Sequence, residues 1–125
     1  MDVLTQFQQR FELGPSLEKD KSWAIDVNGG YVVNCVAVNG NVRFYSELGP
    51  LDEAKNRELL LKELLQNITV HLTGVQETIT LKGQKNTLEL VRNIGKPESL
   101  LKMEQAFEDF VSSFEFFRPI YDRHT

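Results

Sequence analysis

The chain has 125 residues, a formal net charge of −4 at pH 7 and a hydrophobic fraction of 41%. This length suits one hydrophobic core and is short for two, and the composition is globular rather than disordered. Without a Lys/Arg run, an acidic chain repels a phosphate backbone, so we predict no nucleic-acid partner. The N-terminus lacks the pattern of a signal peptide, and no apolar run approaches the roughly 20 residues that span a bilayer. We therefore expect one cytoplasmic domain over residues 1–125, without membrane insertion.

The first part of the chain is typical of a short helix followed by an antiparallel meander. Val3, Phe7 and Phe11 recur at helical spacing ahead of the helix-breaking pair Gly14-Pro15. Three strand-like runs follow, and the turn-forming sequences NGG and NGN separate them. The runs are SWAIDV (22–27), YVVNCVAV (31–38) and VRFYSEL (42–48).

After Gly49-Pro50, the leucine-rich stretch 51–67 predicts a second helix. Beyond Asn67 the apolar spacing becomes alternating, which predicts an extended segment. One of its faces carries Ile68, Val70 and Leu72, and the other carries Thr69, His71 and Thr73. The sequence ETITLKGQKNTLELVRNI (77–94) then predicts a hairpin that turns at 83–86.

The last helix is expected to begin near Pro97, since proline suits the first helical turn. Steps of three and four residues give it an apolar seam, which consists of Leu100, Met103, Phe107, Phe110, Phe114 and Phe117. Pro119 is expected to end or kink this helix and to leave 119–125 as a loose tail. The sum is an α+β fold in the order α-β-β-β-α-β-β-α, an antiparallel sheet flanked by helices.

The residues that could carry chemistry lack partners in the sequence. The two histidines, His71 and His124, form no zinc motif with the single cysteine, and no phosphate-binding glycine pattern is present. Cys35 lies in the most apolar run, which favours a buried side chain over a nucleophile. On these grounds we expect no catalytic residues, no metal and no cofactor.

Apolar surface is the stronger indication of function. The run 31–38 is apolar on both faces, whereas a sheet with helices on one side usually has a polar second face. An additional helix, a second subunit or a bound polypeptide could each cover the second face. The pattern alone leaves these alternatives open.

The chain resembles the class I (CesT/SycE-like, Tir chaperone) family of type III secretion chaperones. The resemblance lies in residues 58–94, where a leucine-rich helix ends at LLQ-N, a TG pair follows, and alternating strands lead to LxLxRxI. The opening LTQFQQRFELG and the closing LLKMEQAFEDFVSSFEFF are also similar to those of the family. The family order of elements is the one predicted above.

This resemblance implies a cytoplasmic homodimer that binds the N-terminal region of a secreted effector in extended form. It would keep the effector soluble and deliver it to the export apparatus, with the secretion ATPase as a further partner. By position, the effector groove would include Val3, Phe7, Phe11, Val32, Val36, Val38 and Phe44. The dimer interface would include Leu60, Leu64, Ile68, Val70 and Leu72. Sequence cannot separate such positions from plain core residues.

Two other functions fit the same sequence. One is a regulator of the same fold that sequesters a transcriptional regulator or another chaperone. The other is a small enzyme or ligand-binding domain that uses His71 or the acidic residues. Replacing His71 by alanine would abolish activity only in the last case.

Overall fold

The computed structural model describes residues 3–13, 21–28, 30–71, 77–84 and 86–125, and only the backbone of residues 21 and 69–71. The helices are α1 (Val3–Arg10), α2 (Arg57–His71) and α3 (Leu100–Arg123), and one 3-10 turn spans Leu51–Glu53. The strands are β1 (Lys21–Val27), β2 (Tyr31–Val38), β3 (Asn41–Pro50), β4 (Glu77–Lys82) and β5 (Thr87–Gly95). The predicted order α-β-β-β-α-β-β-α is confirmed. None of the described helices is long and apolar enough to cross a membrane.

The five strands form one antiparallel sheet in the order β1-β2-β3-β5-β4. Side chains alternate between two faces, as the strand period requires. The covered face packs under helices and includes Trp23, Ile25, Val33, Cys35, Phe44, Leu48, Leu88 and Leu90. The open face includes Asn34, Val36, Arg43, Tyr45, Thr78, Thr80, Glu89, Val91 and Asn93.

Aromatic side chains hold the helices on the covered face. Phe44 of β3 lies 6.3 Å from Phe7 of α1 and 5.6 Å from Phe107 of α3, measured between ring centroids. Farther along α3, Phe114 stacks on Tyr31 of β2 at 4.4 Å. The predicted seam of α3 is confirmed, because its members from Met103 to Phe117 are buried in one core cluster.

The prediction of an extended segment directly after Asn67 is wrong for 68–71, because α2 continues to His71. Ile68 packs partly buried against the core, and the Asn67 side chain donates to the Glu63 carbonyl one turn earlier at 2.8 Å. Helix propensities of β-branched and other residues differ by at most about 0.7 kcal/mol, so tertiary packing decides. Leu72 and Thr73 lie outside the described residues.

The prediction of a loose C-terminal tail is also wrong. Helix α3 begins at Leu100, capped by the Ser99 side chain, and runs through Pro119 to Arg123. Ile120 and Tyr121 are buried, and the Tyr121 hydroxyl donates to the Pro50 carbonyl at 2.7 Å. Proline costs a helix one backbone hydrogen bond, but Pro119 is exposed and the burial of the next two side chains offsets that loss.

Candidate functional site

The structure divides the predicted groove residues into two groups. Phe7 and Phe44 are completely buried in the core, so the prediction that they line a groove is corrected. Their aromatic partners on α3 fill the surrounding space, which leaves no surface for a ligand. Val3 and Phe11 are partly buried and pack against the same core.

Three of the four valines of β2 lie on the open face of the sheet, and the fourth, Val33, is buried on the covered face. Val32 is 38% exposed and Val38 is 44% exposed, while Val36 is half-buried between them. Exposed β-branched side chains on a sheet without a covering helix are a surface that a partner can bury. These three predicted residues therefore remain candidates for binding.

Two adjoining pockets lie on this face, and we call them together the open-face groove. One is a pocket of about 400 Å³ and the other of about 450 Å³. They share Val36, Arg43 and Asn93, so the depression is continuous along β3. The first extends towards Tyr45, Thr80, Lys82 and Glu89, and the second towards Val38, Asn41 and Gly95.

The centre of the groove carries two cations on one aromatic ring. The Arg43 guanidinium lies 5.8 Å from the centroid of the Tyr45 ring, and the Lys82 ammonium lies 5.5 Å from it. Strand β5 separates β3 from β4, so Lys82 reaches Tyr45 only by crossing over β5. Glu89 and Val91 of β5 are buried on this face, which none of the described helices covers.

The edges of the sheet also offer binding capacity. Strands β1 and β4 are the outermost strands of the described sheet. An edge strand presents a row of backbone N–H and C=O groups that can pair with an added strand. Trp23 and Ile25 of β1 turn their side chains to the covered core, so the outer edge of this strand is well anchored.

The predicted interface residues on α2 also need correction. Leu60 and Leu64 are buried within the single chain, so they are core residues and leave no surface for a second copy. Ile68 is partly buried. The side chain of Val70 and all of Leu72 lie outside the described residues.

A second apolar stripe on α2, adjacent to the buried one, is accessible instead. Leu65 is 59% exposed, and Leu61 and Ile68 lie one turn before and after it on the same side of the helix. The sequence does not distinguish the buried stripe from the accessible one, since consecutive leucines make both of them apolar. Only packing against α3 shows which of them is core.

Several titratable residues are buried in the core or link two elements of the fold. Burial raises the pKa of the Cys35 thiol to about 12, because the charged form loses its hydration in the core. Burial, with a smaller contribution from the Glu115 carboxylate, raises the pKa of Tyr31 to about 12. His124 contacts the Glu63 carboxylate at 2.6 Å and ties α3 to α2. The described ranges contain no group of three or more residues placed to ligate a metal.

No protein-family model and no curated protein sequence matches the chain. Solved structures do. A chain of the ExoU–SpcU complex from the type III secretion system of Pseudomonas aeruginosa is similar with a TM-score of 0.69 and 12% identity. That match covers 92% of this chain and 94% of the other.

Two further complexes contain similar chains. The HopA1–SchA chaperone–effector complex gives a TM-score of 0.67 at 11% identity, over 94% of this chain and 91% of the other. The Yersinia pestis type III secretion chaperone SycH with a fragment of YscM2 gives 0.62 at 16%, over 92% and 96%. The chain thus has the fold of type III secretion chaperones, as the resemblance in its sequence implied.

Proposed function

We propose that this protein is a cytoplasmic type III secretion chaperone. It binds the N-terminal region of a secreted effector in extended form, keeps the effector soluble and delivers it to the export apparatus, where the secretion ATPase is a further partner. The observation that carries this proposal is the fold, which matches chains of chaperone complexes over 92–94% of the chain.

The open-face groove and the edge strands of the described sheet support a physical mechanism. An extended polypeptide can pair its backbone with an edge strand, which gives affinity, while alternate side chains enter pockets, which gives selectivity. The exposed Val32 and Val38 offer apolar contact for such side chains. Binding of this kind needs no bond chemistry, consistent with a thiol at Cys35 that burial keeps protonated.

We propose in addition that the protein is a homodimer and that the accessible stripe of α2 forms the interface. Leu61, Leu65 and Ile68 line this stripe, and Leu65 is 59% exposed. Apolar side chains on one helix side are what an isologous helix-to-helix contact buries. Light scattering on wild type and on Leu65→Glu tests this: a monomeric wild type contradicts the dimer, and a monomeric variant of a dimeric wild type supports the stripe.

The experiment for the function is affinity purification of the tagged protein from its native host, followed by mass spectrometry of the bound proteins. We expect one secreted protein, retained after truncation to its N-terminal region and lost when that region is removed. Val38→Asp should reduce its recovery about tenfold, since burying a carboxylate at an apolar contact is costly. Ser112→Asp places the same charge at an exposed position of α3 and should have no effect.

The nature of the captured protein decides between the remaining functions. A transcriptional regulator, or another chaperone, would replace the escort role by a sequestering role on the same fold. Absence of any captured protein would contradict both.

A further inference from the structure

Glu89 is an unusual residue for the middle of a sheet surface. Only 6% of it is exposed, and its Oε2 atom is fully buried without a hydrogen-bond partner among the described residues. Glu89 lines the open-face groove, so its carboxylate lies next to a pocket. A buried carboxylate without a donor costs free energy, which makes it a site that a donor would stabilise.

A second carboxylate stands beside it. Glu47 of β3 is directly opposite Glu89 of β5 in the strand register, and both side chains belong to the open face. Like charges directly opposite each other destabilise a sheet. No described cation lies within ion-pair distance of either carboxylate: Arg118, which lies near Glu47 at the end of the sheet, instead donates to Asp122 at 3.2 Å. Within the described part of the chain, the two carboxylates therefore lack a counter-charge.

The chain's own cation above Glu89 is Lys82, which we call the Lys82 strap. It crosses β5 to reach the Tyr45 ring at 5.5 Å and covers Glu89 without pairing with it. Lysine is long and flexible, and Lys82 is exposed. The strap can therefore withdraw at small cost and open the carboxylate to the groove.

We propose that Glu47 and Glu89 form a subsite for an arginine side chain of the bound polypeptide. An arginine fork presents five donors and can span two carboxylates, so it satisfies Glu89 Oε2 and relieves the repulsion between the pair. The net charge of −4 on the whole chain attracts a basic segment as well. That the partner is a polypeptide rests on the proposed function.

The neighbouring apolar pocket adds a constraint on the sequence of the partner. In an extended segment, side chains two positions apart share one face at a separation of about 7 Å. The part of the groove around Val36 and Val38 adjoins the part around Glu89. An arginine at the subsite therefore places aliphatic residues two to four positions away in the apolar part.

The test uses a defined probe, the blocked peptide acetyl-Val-Thr-Arg-Thr-Val-amide, whose β-branched residues favour extended backbone. The control peptide carries citrulline in place of arginine, which keeps the shape and removes the charge. Dissociation constants are read from backbone amide shifts of Thr80 and Glu89 at an ionic strength of about 0.01 M, where screening is weak. We expect the arginine peptide to bind at least about tenfold more tightly.

Three variants and one control variant make the assignment specific. Glu89→Gln and Glu47→Gln should each weaken binding of the arginine peptide towards that of the citrulline peptide, and Glu47 is exposed, so its variant will fold. Lys82→Thr removes the competing strap and should tighten binding about threefold. Glu58→Gln, an exposed carboxylate on α2, should change nothing.

Equal binding of the two peptides, absence of binding by both, or an unchanged constant in both subsite variants would overturn the proposal. These outcomes are distinct from failure of the proposed function. Capture of an effector together with charge-independent peptide binding would remove the subsite and leave the chaperone role. Charge-selective peptide binding without any captured partner would support the subsite and contradict the chaperone role.

Discussion

Substitution of Gly49 by alanine tests how firmly the end of α3 is docked on the sheet. Gly49 has a φ of +148°, and a Cβ atom there would lie 2.4 Å from the Cζ and hydroxyl atoms of Tyr121. Tyr121 cannot turn away freely, because it is buried and its hydroxyl donates to the Pro50 carbonyl. Alanine would therefore strain the backbone and displace a buried ring.

The magnitude follows from two contributions. A left-handed backbone costs a non-glycine residue about 1–2 kcal/mol, and forcing extra volume into a packed site costs about 1–3 kcal/mol. If the displaced ring also loses its hydrogen bond, about 1 kcal/mol is added. We expect Gly49→Ala to lower the free energy of unfolding by about 3 kcal/mol or more.

Gly83→Ala is the matched control. Gly83 also has a positive φ, +75°, but a Cβ atom there meets no described atom within 4 Å. Only the backbone contribution remains, about 1 kcal/mol. Urea denaturation at one fixed protomer concentration measures both variants, since a dimer's stability depends on concentration.

A double-mutant cycle adds a check on the cause. Removing the ring with Tyr121→Ala in the Gly49→Ala background should recover about 2 kcal/mol relative to the sum of the single effects. If Gly49→Ala costs no more than Gly83→Ala, within about 0.5 kcal/mol, the close contact between Tyr121 and β3 is refuted.

Three further predictions concern single groups. The hydrogen bond from His124, with contributions from Arg123, lowers the pKa of Glu63. The ionised Glu63 carboxylate therefore stabilises the fold above its unfolded pKa near 4.3, and this stabilisation is lost as pH falls through the folded pKa. Glu63→Gln should therefore flatten the acid limb of stability measured by urea denaturation between about pH 5 and pH 3, and an unchanged limb would refute the contact. Burial raises the pKa of Cys35 to about 12, so a thiol reagent at pH 8 should label it only in urea, whereas rapid labelling of the folded protein would place it outside the core. Pro119→Ala restores a backbone donor to the Glu115 carbonyl, so it should raise the free energy of unfolding by about 1–3 kcal/mol and with it the thermal midpoint. A lower midpoint would show that proline is required there.

The order of the elements could be read from the sequence because each depends on local physics. Alternation in β3, the asparagine and glycine turns, and the three-four spacing from Met103 to Phe117 act within a few residues. These patterns, together with the family resemblance, predicted the fold that the structure and its neighbours show.

Tertiary contacts decided where the local patterns conflicted. Residues 68–71 alternate like a strand, yet packing of Ile68 on the core keeps them helical. Pro119 signals an end, yet burial of Ile120 and Tyr121 carries α3 past it. In both places, the burial of apolar area outweighs a cost in helix propensity. The sequence shows that cost, but it does not show the tertiary contacts that offset it.

The sequence by itself also selected the apolar residues without showing which of them face a partner. Phe7 and Leu60 proved to be core, whereas Val38 lies on the open face. All three side chains are apolar, because burial within the chain and burial against a partner depend on the same hydrophobic effect. Glu89 carried no local signal at all, since only the register of β5 between β3 and β4 buries its carboxylate.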